Sequence, residues 1–318
     1  MATDTETTSC GSEVPLPNAP YVALHPHYGM LLGVADFEAE QAYHRGKMRL
    51  HNAWAHGWGV LWGLGVTLDL ARGEVAVAAG LALDGRGREL HNDVAQCLNV
   101  ARWFEAHRED AGFSFSEAAD GRIGFDAHVR IRHHACLSAP VPALADSCSN
   151  EAGGTAYSRV FETVLIELVP GPAPARRHRH HLLRVLAGLD AATTDADGAV
   201  LAADQAALDA RMAIVAAPAA DRIAVAAEAL QRIAVLDGLA ETPASPSDPD
   251  DLDGRLFPAA GPGSLALAEL RGLVLRPANG GLTLDGVGPA MPDNAVRSVL
   301  LPSASLQALA GALLSALV

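Results

Sequence analysis

The chain has 318 residues, and its 23 Lys and Arg stand against 37 Asp and Glu for a formal net charge of −14. An acidic surface repels a phosphate backbone, which excludes a general nucleic-acid binder. No apolar run reaches the ~18 residues of a membrane-spanning helix, so no direct membrane insertion is expected, and four cysteines are too few for a disulfide scaffold.

Residues 1–30 are polar and acidic and lack the apolar core of a secretory signal, so they read as a flexible arm on a protein made in the cytoplasm. A long helix is expected next. Asp36 suits its N-cap, and Glu38 and Glu40 suit the positive end of its dipole. Gly57 and Gly59 stop it. Ala39, Tyr43, Gly46, Leu50 and Trp54 fall on one face, and Phe37, Gln41, His44, Met48, His51 and Ala55 form a second stripe. Two faces imply burial on two sides, against the chain's own sheet and against a partner. Tyr43, Leu50, Trp54, Phe37 and Met48 are the expected interaction residues.

After the stop the period becomes two. Val60, Trp62, Leu64, Val66 and Leu68 alternate with Leu61, Gly63, Gly65, Thr67 and Asp69, which predicts one half-buried strand with Trp62 in the core. A turn at Ala71-Arg72-Gly73 leads to strands over Glu74 to Ala79 and Leu81 to Leu83, and Asp84-Gly85-Arg86-Gly87 makes a hairpin turn. Val100 to Glu109 reads as a short helix. In the strand Gly124 to His133, Phe125, Ala127, Val129 and Ile131 point inward; in Tyr157 to Val169, Val160, Val164, Ile166 and Leu168 share a face.

The run Arg176 to His181 (RRHRHH) opens a helical stretch to Leu189, and reads better as a salt-bridging patch than as an anion site. Ala199 to Leu239 predicts two helices broken near Pro218, and residues 241–254 an exposed loop. Ser264 to Arg276 and Gly281 to Asp285 form a hairpin around Asn279-Gly280. A closing helix over Ala304 to Leu317 presents Leu306, Leu309, Leu313 and Leu317. The fold class is therefore α+β: antiparallel β-rich units with a long N-terminal helix, an Ala-rich helical insertion and a C-terminal helix. The expected division is an arm (1–30), a helix-plus-β domain (31–190), the insertion with its acidic Pro-rich loop (191–260), and a hairpin with a terminal helix (261–318).

Chemistry is sparse. His133, His134, Cys136 and Cys148 are candidate zinc ligands, although no paired-cysteine spacing supports them; a Cys136–Cys148 disulfide competes with that reading. His44 and His51 lie two helical turns apart, too far to share an ion. Asp84, Glu89 and Asp93 occupy turns and strand ends, and no nucleophile or phosphate-loop motif is present. A metal-stabilised or hydrolytic domain built on His134, Cys136 and Cys148 is one alternative function. A glycan- or surface-binding module using Trp58, Trp62 or Trp103 is another.

The segment DFEAEQAYHRGKMRLHNAWAHGWGVLWGLGV followed by AAGLALDGRGREL resembles proteins of phage tails and extracellular contractile injection systems. Its second part is similar to the GV-x-x-GL-x-V … GxAxDGxGRE pattern of tail-fibre and baseplate attachment regions. CLSAPVPALADSC, YSRVFETVLIEL, LALAELRGLVL and VRSVLLPSASLQAL fit the same group. The resemblance implies a non-enzymatic, cofactor-free part of a particle that can be released from the cell, with copies of itself or baseplate neighbours as partners. It carries over no catalytic residue.

Overall fold

Glycines shape the first half of the body in this computed structural model, which describes residues 16–142, 155–243, 255–278, 280–286 and 292–308. The chain divides into a β-rich body, Met1–Arg176 with Gly261–Val318, and a helical unit, Arg177–Ala260.

Helix α1 (Val34–His51) is capped at Gly33, not Asp36. The Asp36 carboxylate instead reaches back to accept the Gly33 N–H at 2.8 Å, the position a capping box gives its third residue. One π-helical turn, Asn52–His56, follows, and Gly57 at φ +81° ends the helix.

The expected continuous strand is cut by a corner. Strands β1 (Gly59–Gly63) and β2 (Val66–Asp69) belong to different sheets. Between them Gly63 and Leu64 both take positive φ, +67° and +54°. A Cβ on Gly63 would lie 2.1 Å from the Ala79 carbonyl oxygen, so only glycine permits the approach. Strands β3 (Glu74–Val77) and β4 (Gly80–Leu83), then β5 (Glu89–Asn92) and β6 (Gln96–Asn99), are split in the same way. The result is two three-stranded antiparallel sheets, β1-β4-β5 and β2-β3-β6. The corner also moves Trp62 out of the core: it is 53% exposed, whereas Leu64 and Trp58 are buried.

Helix α2 (Val100–His107) starts where Asn99 accepts the Arg102 N–H at 2.9 Å. It places Trp103 and Phe104 among Phe113, Phe115 and Phe125, so Trp103 is a packing residue. The large antiparallel sheet contains β7 (Ser116–Glu117), β8 (Ile123–Pro142), β9 (Thr155–Pro170), β10 (Ser264–Ala278) and β11 (Gly281–Gly286). Its order is β11-β10-β8-β7, with β9 also on β8. Phe125, Ala127, Val129 and Ile131 are buried as their alternation requires. Strand β8 outruns its expected end at His133, because β9 pairs with it from Ala127↔Pro170 to Pro142↔Thr155. Its pairing with β10 reaches only Arg132↔Ser264. Val160 lies in that outer stretch and is 44% exposed, unlike Val164, Ile166 and Leu168.

A late segment closes the body. Asn294 exchanges side-chain hydrogen bonds with the Val66 backbone, 3.0 Å each, and Arg297 donates to the Leu267 carbonyl at 3.0 Å. Val60 then donates to Ser298 and accepts from Leu300, each at 2.9 Å, which adds a short parallel bridge to β1. Helical turns follow over 303–308, all exposed. Leu309, Leu313 and Leu317 lie outside the described residues.

The helical unit contains α3 (His181–Ala187), α4 (Ala202–Ala216) and α5 (Arg222–Ala240), with the break at Pro218 that the sequence predicts. Leu182, Val185, Leu186, Ala207, Ala210 and Ile233 form its core, so α3 belongs here rather than with residues 31–190. Buried Asp237 accepts the first free amides of α3, Leu182 at 2.9 Å and Leu183 at 2.7 Å, and so caps one helix from another.

Candidate docking groove

The two faces of α1 have different fates. Ala42, Gly46, Arg49 and, one turn on, Ala53 are buried. Gly46 makes room for the incoming chain, since a Cβ there would meet the Pro20 ring at 2.9 Å. Tyr43, Leu50 and Trp54 are half-buried beside this face. Phe37 and Met48, on the other stripe, remain 57% and 53% exposed. The five expected interaction residues are therefore divided: three belong to the protein's own packing and two face outward.

The outer stripe walls a groove of about 970 Å³. Gln41, His44, Met48 and His51 line it from α1, while Glu89 and His91 of β5 and Glu162 and Thr163 of β9 face them. At its base Gly87, φ +67°, abuts the end of α1; a Cβ there would lie 2.0 Å from the Arg49 carbonyl oxygen. The loop that carries Gly87 is held by buried Asp84, which accepts the Arg86 and Arg88 amides at 2.9 Å and pairs with the Arg88 guanidinium at 2.6 Å. The DGRGRE motif is thus a structural loop that seats α1.

An ionic network anchors the groove. Arg49, only 6% exposed, donates to Asn18 at 3.4 Å and to Glu162 at 3.2 Å. The ring of His133 bonds the same Glu162 oxygen at 2.9 Å. That His133 hydrogen bond holds the Glu162 carboxyl below the ordinary glutamate value against the opposing effect of burial, with help from the Arg49 charge. Burial in turn lowers the Arg49 value, opposed by Glu162. Sequence reasoning missed this network. Its one signal is Arg49 itself, a charge set in phase with Ala42, Gly46 and Ala53 on the buried face.

Strand β5 is the edge of its sheet. Asp84 N–H donates to the Arg88 carbonyl at 3.1 Å, which makes that pair hydrogen-bonded. Antiparallel pairs alternate, so Ala82↔Leu90 and Gly80↔Asn92 are hydrogen-bonded as well. The backbone N–H and C=O groups of Glu89 and His91 therefore turn to the open side of the sheet.

The described histidine and cysteine candidates, His133, His134 and Cys136, do not gather into a metal site. His133 is taken by Glu162, and strand alternation turns His134 to the other face of β8. Cys136 is disulfide-bonded, so it has no thiolate to offer zinc; Cys148, its expected partner, lies outside the described residues. Among the described residues no group of three or more His, Cys, Asp or Glu could hold a metal ion. His44 pairs with Glu40 at 2.9 Å, and the His51 ring meets that of His56 edge-on at 5.1 Å. In RRHRHH, Arg179 pairs with Glu241 at 3.3 Å and His181 with Asp204 at 2.7 Å, the salt-bridging role expected of that run.

No protein-family description matches the chain, and no curated protein matches it. Among solved structures, the crystal structure of TssK is similar at 16% identity and a TM-score of 0.25. The match covers 69% of this chain and 57% of the length of that one.

Proposed function

We propose that the chain is a non-enzymatic structural component of a phage-tail-like contractile injection particle, at the baseplate or fibre-attachment level, and that it docks partners on the outer face of α1. The chain is made in the cytoplasm and built into a particle that can be released. One observation carries the docking reading: α1 is pinned to its own body along one stripe and leaves the other open along a wide groove. The sequence resemblance supplies the particle, and its two strongest blocks meet in space. The DGRGREL loop seats the end of the helix that DFEAEQAYHRGKM begins. A surface of this kind, part apolar and part charged, suits a protein contact better than a small-molecule site.

The test is fractionation. Particles sedimented from the source cells should contain this chain together with sheath and tube subunits by mass spectrometry. Recovery only in the low-mass soluble fraction overturns the reading. A Phe37→Glu, Met48→Glu chain should keep its circular dichroism spectrum yet drop out of the particle, because both side chains are exposed.

A further inference from the structure

The outer stripe of α1 is complementary to a copy of itself. We infer that two chains pair through it, their α1 helices lying antiparallel about a two-fold axis that passes between Gln41 and His44. The inference rests on the docking reading above and gives it a partner, a second copy of this chain.

Spacing is the first observation. Val34, Phe37, Gln41, His44, Met48 and His51 run the whole length of α1 at alternating steps of three and four, and all are exposed. That is the seam of a two-helix coiled coil. Leu31 and Leu32, also exposed, carry the apolar surface past the helix start. The opposite stripe is packed on the body, so α1 is formed and oriented before it meets a partner. The ordering cost that makes a short isolated coiled coil unstable is therefore largely absent. The groove leaves open space along the seam, where a second helix can approach to an interaxial distance of about 8–10 Å.

Charge is the second. Glu38 and Glu40 precede the midpoint of the seam, Arg45 and Lys47 follow it, and the four flank it on its two sides. Antiparallel helices set Glu38 opposite Arg45 and Glu40 opposite Lys47, and the two-fold axis repeats both pairs. In the same register Phe37 meets Met48, a thioether against a ring, and Gln41 meets His44. Parallel helices would keep only Glu40 with Arg45, and would bring His44 onto His44 and His51 onto His51. Arg45 bonds the neutral Pro17 carbonyl at 2.9 Å, and Lys47 lies over the Tyr21 and Tyr43 rings, so both cations keep their charge for an incoming acid. A net charge of −14 repels a second copy at long range, so the contact depends on these local pairs. The mirrored order of sign about the helix midpoint is what selects the same helix over an unlike partner.

Sedimentation equilibrium of the purified full chain tests this, with circular dichroism to check that each variant keeps its fold. The chain should dimerise. Glu40→Lys or Lys47→Glu should each weaken the dimer about tenfold or more, because symmetry makes one change alter two pairs and set like charges against each other. Combining the two exchanges the signs and should restore affinity to within about threefold of the unaltered chain. A chain that stays monomeric up to about 100 μM overturns the pairing. So does a dimer indifferent to both single changes, and so does one that the combined change fails to restore, the result parallel helices would give. Particle recovery does not enter these readouts. A chain that is monomeric here and still found in particles would sink the pairing and leave the assembly reading standing.

Discussion

In the β-rich body, irregular backbone is held in place mainly where a side chain is absent, with Asp84 as an added carboxylate clamp; in the helical unit it is held where carboxylates are present. Gly63, Gly80, Gly85 and Gly87 each allow another backbone within a distance that no Cβ tolerates. The helical unit has open space at Gly198 and Gly238, and instead uses Asp237 on the α3 amides and Asp204 on His181 and the Thr193 N–H. Close backbone contact fixes geometry without adjustment, whereas a carboxylate cap can be lost and replaced by water at moderate cost. The contrast teaches which unit is brittle: the body, at its glycines.

The largest effect should come from Gly87→Ala. It combines positive φ with a clash against a helix carbonyl, so a loss of about 4 kcal/mol is expected. Gly238→Ala, in the open interior of α5, should gain about 0.7 kcal/mol. Denaturant titration of both variants breaks the comparison if the two glycines respond alike. Next comes Asp237→Ala, which strands two amides and should cost the helical unit about 2 kcal/mol; a calorimetric loss confined to one transition assigns it.

The smallest effect is that of Glu162. Its folded value lies below the ordinary 4.5, so its contribution is present above pH 4.5 and is lost as pH falls through the folded value. The side chain is half-exposed, so the contribution stays under about 1 kcal/mol. Urea midpoints between pH 6 and pH 3 should fall less steeply for Glu162→Gln than for the unaltered chain.

Much of the fold was legible because it is local. The alternation of Phe125 to Ile131, the break at Pro218 and the hairpin around Gly280 each follow from neighbouring residues. The corner at Gly63 was hidden because period two continues through it; only the approach of Ala79, from another strand, shows why glycine is needed. In the groove, the outer stripe from Phe37 to Ala55 was legible as a second face. Its opposite wall was not, since Glu89, His91 and Glu162 reach it through long-range pairing. The role of Arg49 is hidden for a related reason: a charge on a helix reads as solvated until a distant strand supplies its partner.

The bridge of Val60 to residues 298–300 has a consequence for how the chain comes into being. The bond between Val66 and Asn294 joins positions 228 apart, while every core residue of the helical unit lies within 177–260. On a ribosome the helical unit has all its own partners before the body does. Strand β1 must wait, its edge bare, for a segment translated long afterwards. A net charge of −14 makes neighbouring chains repel one another during that wait.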